Sequence, residues 1–387
     1  MSSNEIIFLG DLMKDKENES KDEKMDSDFS KDDTAYKSTQ EQKLSSNDSI
    51  FSSNLPTPLS SLSIKTDIST ISDQKKNFEL FSKENIILSF NRKQSSKQLQ
   101  KSLYGASKEL IDFILEQLCG TFRIIIKNIN GNYFCSDLIK ICSKEQRIKI
   151  LSELSNYISE DCINEFGTHP IQKLIELSFS EEEYKLFLKS FNDINSILFA
   201  SLNHNGSFVI QKLIVYIPES LRMEFNLIFV KLICTLSRDN YGVCTVKKFI
   251  AYSKNELIVK QILNSIMTNF VSISVNKFGN YLIQYLMEKW WKTEEGKHLK
   301  KLIISKYQIL HTNRYSNYIC DLFLKLCNKE EKKLVLSSIY NYKTNVNSEK
   351  NQIKFYQNKF DIDFSEKNHI KYKKKDNNNN NYNYNEK

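Results

Sequence analysis

A six-residue motif returns seven times through the middle of this chain, and its spacing limits the fold more than any other feature. The segments are SSKQLQ (95–100), GNYFCS (131–136), GTHPIQ (167–172), GSFVIQ (206–211), GVCTVK (242–247), GNYLIQ (279–284) and SNYICD (316–321). Successive starts lie 36, 36, 39, 36, 37 and 37 residues apart, and five of the nine glycines (131, 167, 206, 242, 279) share one position in the period. Self-similarity at this period is the mark of a solenoid, in which each unit is one supersecondary element and stacking supplies the core.

Within a unit, a polar-to-apolar stretch such as NSILFASLNHN precedes the glycine, and a helical pattern such as IQKLIELS follows it. Apolar residues then recur at helical spacing, as in Ile171, Leu174 and Ile175. The glycine is expected at a helix–helix turn in a left-handed conformation, with the Asn, Ser or Thr after it beginning the helix. One unit cannot bury its apolar stripe alone; a row of them can. The reading is an all-α solenoid.

Composition sets the boundaries. Residues 1–76 hold 10 Lys against 15 Asp and Glu, a balance of −5, so the rest of the chain carries +13 of the total +8. The Ser- and Asp-rich segment 1–76 reads as disordered, with SSNLPTPLSSLS (52–63) as linker. The repeat region is assigned to 77–345, a degenerate repeat or cap to 346–370, and a basic, Asn-rich tail to 371–387, including KYKKK. The eight cysteines form no C-x-x-C pair and the five histidines are scattered, so neither a metal nor a disulfide framework is expected and the thiols read as small core residues. No basic leader opens the sequence, and the apolar run FNLIFVKLICTL (225–236) is interrupted by Lys231, so a soluble intracellular protein without a membrane partner is expected. No phosphate loop, H-E-x-x-H or G-x-S-x-G appears; no catalytic residue and no cofactor is assigned. The EEE run (181–183) reads as a solvated inter-repeat segment and the Trp290–Trp291 pair as core or cap.

The functional candidates are the first, second and fifth residues of each motif helix. The first and fifth stand one turn apart on one face, which is expected to look outward. The triplets are Ser96/Lys97/Gln100, Asn132/Tyr133/Ser136, Thr168/His169/Gln172, Ser207/Phe208/Gln211, Val243/Cys244/Lys247, Asn280/Tyr281/Gln284 and Asn317/Tyr318/Asp321. Asn, Ser and Gln can hydrogen-bond a base edge, and Tyr, His or Phe between them can wedge against bases.

GNYLIQYLMEKW (279–290), GTHPIQKLIE (167–176) and NGSFVIQKLI (205–214) closely resemble the repeat signature of the Pumilio (PUF) family, over roughly residues 80–340. The resemblance implies a right-handed, crescent-shaped superhelix of about seven to eight repeats that binds single-stranded RNA on its concave face, one base per repeat. It also implies a monomeric, cytoplasmic regulator of mRNA 3′ untranslated regions that represses translation or promotes decay through repressor or deadenylase proteins on the convex face. By the family's residue code, Asn280 with Gln284 implies uracil, with Tyr281 stacking. Ser207–Gln211, Ser96–Gln100 and Thr168–Gln172 imply adenine; Asn317–Asp321 departs from the family's usual Ser and Glu for guanine, but an acidic acceptor can take guanine's N1 and N2 protons, so guanine is expected there. With RNA antiparallel to the repeats the implied target is G-U-x-A-A-x-A. Ser136 is shorter than the family's Gln, Val243–Lys247 matches no uracil or adenine pair, and KNQIKFYQNKF (350–360) lacks an eighth motif. These departures leave open a PUF-like protein of ribosome biogenesis with little base code and a nucleolar location; an armadillo-like scaffold gripping a peptide is the alternative outside RNA binding.

Overall fold

A computed structural model describes residues 78–344, with side chains through 339; every described residue belongs to the compact unit Thr66–Lys387, separate from the unit Met1–Lys65. The expected tails, and the degenerate repeat or cap at 346–370, lie outside the described residues. Among the described residues there is helix and no strand, and no helix is long and apolar enough to cross a membrane.

Each motif lies on the last helix of its unit. These motif helices are Lys93–Lys101, Gly131–Ile141, Thr168–Leu177, His204–Tyr216, Gly242–Tyr252, Gly279–Trp290 and Asn317–Leu326, carrying repeats 1 to 7. Each packs against the motif helix before and after it, forming one row. A second row, including Lys108–Leu118, Lys144–Leu154, Glu181–Leu188, Met223–Leu236, Glu256–Thr268, Glu294–Thr312 and Lys329–Thr344, backs the first. Short helices such as Phe122–Ile126 and Phe270–Ser274 turn the chain from the outer row toward the motif row, and in repeat 7 the nineteen residues of Glu294–Thr312 run through without that break. The result is an α-solenoid.

Local chemistry starts the outer helices. Ser107, Ser143, Ser180, Asn255 and Thr293 each stand at an N-cap and accept a backbone N–H from the first turn, and Ser143 with Gln146 and Ser180 with Glu183 form reciprocal capping boxes. The apolar stripes then meet between the rows: Leu282, Ile283, Leu286 and Met287 are fully buried, as are Phe134, Leu138, Phe187, Phe229 and Phe249. Trp290 belongs to this core, while Trp291 packs edge-on to Phe323 at 5.6 Å beneath the Lys300 ammonium. Cys135, Cys142, Cys162 and Cys320 are buried thiols; desolvation pushes Cys142 and Cys162 up to about 12, so they behave as core residues rather than nucleophiles.

Two expectations are corrected. The repeat glycines are not left-handed: Gly167 has φ −62° and ψ −29°, and the positive-φ glycines of the described residues are Gly105 and Gly120. Close approach explains them instead. A Cβ on Gly131, Gly167 or Gly206 would stand 2.7, 2.8 or 2.5 Å from the carbonyl oxygen six residues earlier, that of Ile125, Asp161 or Ala200, and on Gly242 or Gly279 closer still to Leu236 or Ile273. In repeat 7 Ser316 takes the place, and its hydroxyl donates to that same carbonyl, Leu310 O, at 2.7 Å. The second correction concerns the EEE run, which is the first turn of Glu181–Leu188. Glu183 is fully buried, pairs with Arg147 Nε at 2.8 Å, and accepts the N–H groups of Phe179 and Ser180. Arg147 also donates to the Cys142 carbonyl, so this ion pair locks repeat 2 to repeat 3's flank.

Candidate nucleic-acid interface

Before each of motif helices 2 to 7 stands an Asn or Asp whose Oδ1 accepts two consecutive backbone N–H groups. Asn128 takes those of Asn130 and Gly131, Asn164 those of Phe166 and Gly167, and Asn203 those of Asn205 and Gly206. Asp239, Asn276 and Asn313 do the same for Tyr241 and Gly242, Phe278 and Gly279, and Tyr315 and Ser316. This bond, with the close approach at the next position, sets the angle at which each motif helix leaves its turn. Sequence reasoning placed the start of the helix after the glycine and missed the cap; its signal was a regular N/D-x-x-G/S at 128, 164, 203, 239, 276 and 313.

In repeats 1 to 6 the first residue of the triplet does not look outward as expected, and in repeat 7 Asn317 is half-buried. Ser96, Asn132, Thr168, Ser207 and Asn280 are only 1–2% exposed, and Val243 is buried as well. Those of repeats 1 to 6 sit at the floor of the seam between adjacent motif helices. Ser96 Oγ donates to Asn130 O at 3.1 Å and Thr168 Oγ1 to Asn205 O at 3.2 Å, each reaching the next repeat. Asn280 Nδ2 spends both protons on the carbonyls of Asn276 and Lys277, and Asn132 does likewise with Asn128 and Ile129. Ser207 donates to His204 O.

The fifth residue stands above that floor, half-buried, and in repeats 1, 3 and 6 is held by it. Gln100 Nε2 donates to Ser96 Oγ at 3.0 Å, Gln172 Nε2 to Thr168 Oγ1 at 2.9 Å, and Gln284 Nε2 to Asn280 Oδ1 at 2.9 Å. With one amide proton so engaged, each glutamine retains one N–H and its Oε1, an adjacent donor–acceptor pair. That pair matches the N3–H and a carbonyl of uracil, or the N1 and N6–H of adenine. Ser136, by contrast, turns its hydroxyl back to Asn132 O at 2.8 Å, so repeat 2 presents no such pair. In repeat 7, Asp321 brings acceptors only, and Asn317 Oδ1 is a buried acceptor without a hydrogen bond.

The second residue is the exposed one: Tyr133 is 63%, Phe208 47%, Tyr281 55% and Tyr318 59% exposed, with His169 and Lys97 also outside and Cys244 half-buried. Phe208 is braced edge-on by His204, whose ring also meets Tyr241. A row of exposed rings one repeat apart is a set of stacking platforms on which unstacked bases can lie. Cations line the same helices. Lys173 and Lys212 both pair with Glu176, tying repeat 3 to repeat 4; burial raises that carboxyl, but the two lysine hydrogen bonds outweigh it and hold it below the usual range. Lys247 lies 5.8 and 5.9 Å from the ring centroids of Tyr281 and Tyr285, and burial lowers its pKa.

All seven triplets thus fall on one row of helices; in repeats 1, 3, 4 and 6 they form three layers, a polar floor, a glutamine above it and an exposed side chain beside it, while repeat 5 has the apolar Val243 and the half-buried Cys244 in the first and third places. The model of the Pumilio-family RNA binding repeat matches residues 125–155, 201–224 and 269–290, which hold the cap, glycine and first turns of repeats 2, 4 and 6. The chain is 26% identical over 241 residues to Pumilio homolog 12 of Arabidopsis thaliana, covering 60% of this chain and 38% of that protein. Against Suppressor protein MPT5 of Saccharomyces cerevisiae it is 27% identical over 239 residues, 58% of this chain and 26% of the other. The chain spans about two fifths of the length of the Arabidopsis relatives it matches. Among solved structures it superposes on the RNA-binding domain of yeast Puf5p bound to AAT2 RNA with a TM-score of 0.61 at 21% identity, over 71% of this chain and 82% of that one. The Puf4 RNA binding domain bound to the HO endonuclease RNA 3′ UTR recognition sequence gives a TM-score of 0.58 at 20% identity, over 65% and 77%.

Proposed function

The chain belongs to the Pumilio family of RNA-binding repeat proteins, and from that premise we propose that it reads single-stranded RNA base by base along its motif helices. The observation that carries the reading is the pinned glutamine. In repeats 1, 3 and 6 the buried first residue fixes one amide proton, at 3.0, 2.9 and 2.9 Å, and so presents one donor and one acceptor at a constant place in the period. A peptide-binding scaffold has no need of that repeat, nor of the exposed rings of His169 and Tyr281 beside the pairs of repeats 3 and 6.

RNA runs antiparallel to the repeats, so repeat 7 meets the 5′ end. Asp321 takes guanine through its N1 and N2 protons, Asn280 with Gln284 takes uracil, and Gln211, Gln172 and Gln100, each beside a hydroxyl residue, take adenine. Repeat 2 stacks through Tyr133 and leaves the base edge unread. Each ring–base contact contributes about 1–3 kcal/mol, so four tyrosine or phenylalanine platforms supply much of the affinity and the amides supply the choice. The biological role that follows is binding to mRNA 3′ untranslated regions in the cytoplasm, with translation repressed or decay promoted through proteins recruited to the outer helix row.

Titration of the purified chain with short single strands containing or lacking UGU, at two salt concentrations, tests this. Preference for the UGU strands with a shallow salt dependence supports it. Equal affinity for every strand with a steep salt slope would show backbone-driven binding without a base code, and no binding at low salt would return the fold to a protein-binding scaffold.

A further inference from the structure

We propose that repeat 5 reads cytosine and that Lys247 is the residue that selects it. The inference rests on the RNA-binding reading above and extends it to the repeat whose residues fit neither an Asn–Gln nor a Ser–Gln pair.

In repeat 5 the floor is Val243, buried and without a polar atom on its side chain. The platform position is Cys244, half-buried, its thiol directed to the Asn240 carbonyl at 3.7 Å. Lys247 is therefore the one side chain of the triplet left to address a base edge. Its ammonium stands at the junction of repeats 5 and 6, beside the faces of Tyr281 and Tyr285 at 5.8 and 5.9 Å. Tyr281 is the exposed platform that flanks this base position, so a base brought to it comes within reach of the ammonium. Lys173 and Lys212 on neighbouring motif helices are, by contrast, engaged by the Glu176 carboxylate. Among the described residues no carboxylate stands within ion-pair distance of Lys247; Glu288 acts on it only from further away. The cation is half-buried beside two rings with no carboxylate against it, and desolvation lowers its pKa.

An ammonium offers donors and nothing else, so it discriminates by the order of donors and acceptors along the base. On the Watson–Crick edge, uracil sets a donor between two acceptors, adenine puts its amino group next to its single acceptor, and guanine presents two neighbouring donors. Cytosine alone sets two acceptors, N3 and O2, side by side. Guanine also has an acceptor pair on its Hoogsteen edge. The glutamines at this place in repeats 1, 3, 4 and 6 are assigned to Watson–Crick edges, however, and a base presented to repeat 5 in the same orientation offers the ammonium an adjacent acceptor pair only if it is cytosine.

The test is fluorescence anisotropy on the full chain with four labelled strands, 5′-GUNAAUA-3′, in which N is each base in turn. Cytosine should bind about tenfold more tightly than adenine, the size of one good base contact. Lys247→Gln should remove that advantage and move the preference to uracil or adenine, while Lys247→Met should level the four strands. Equal affinities for the four strands with the unsubstituted chain, or any other base in the lead, would overturn the assignment. A fifth strand with its 5′-GU replaced by CA separates the two claims. If it binds weakly while N makes no difference, the RNA reading stands and the cytosine assignment falls. If none of the five binds, both fall.

Discussion

Gly206→Ala tests the physical basis of the repeat, because two explanations of the glycine predict opposite signs. Were Gly206 present for flexibility, alanine would stabilise the helix His204–Tyr216, in which it is the third residue, by up to about 1 kcal/mol. The structure says otherwise. An added Cβ would lie 2.5 Å from Ala200 O, 2.9 Å from Ala200 Cα and 3.1 Å from Ala200 C, all backbone atoms that cannot swing aside. Overpacking of this kind costs about 1–3 kcal/mol or more, and three backbone contacts place it at the upper end. Less the propensity gain, the net loss is about 2 kcal/mol. Gly167→Ala is the internal control. Its nearest contact is 2.8 Å and its second is the movable Lys127 Cγ at 3.2 Å, so the loss should be smaller. Urea unfolding followed by circular dichroism reads both, compared as midpoint shifts because a repeat array need not melt in one step. A midpoint for Gly206→Ala at or above that of the unsubstituted chain would refute the close-approach argument.

Three further outcomes are expected. Asn280→Ser with Gln284→Glu replaces a donor–acceptor pair by acceptors, and should shift preference from uracil to guanine opposite repeat 6 alone in a position-by-position binding panel. Tyr281→Ala should weaken binding by about 1–3 kcal/mol without changing base preference, read by the same titrations. Glu183→Gln leaves Arg147 buried without its anion and should destabilise by about 3 kcal/mol at neutral pH. Burial raises the Glu183 carboxyl, but hydrogen bonds from Ser180, the Phe179 and Ser180 N–H groups and Arg147 hold it below the ordinary carboxylate range. Its stabilising contribution is therefore complete above the unfolded value of about 4.3 and is lost as pH falls through the lower folded value. Unfolding midpoints below pH 4 should accordingly drop less steeply for Glu183→Gln than for the unsubstituted chain.

Much of the architecture was legible because it is periodic. The spacing of GTHPIQ, GSFVIQ and GNYLIQ put seven triplets on equivalent helices, and the apolar positions between them, such as Leu282 and Ile283, fell in the core as their spacing required. Depth was not legible. Helical spacing says which residues share a face, but the neighbouring repeat decides how far each is covered, and Ser96 and Thr168 are roofed by the turns that carry Asn130 and Asn205. The glycine was misread for a related reason: the carbonyl it must clear lies six residues back on another helix, invisible to turn propensity. EEE at 181–183 looked solvated because the partner that buries Glu183, Arg147, is a full repeat away in sequence.

Selection of bound RNA from a random pool tests the central claim most directly. A single-stranded core should be enriched in which GU is followed, after one nucleotide, by AA, with that intervening nucleotide cytosine. A pool that emerges without positional preference, or enriched in duplex rather than single strands, would contradict it.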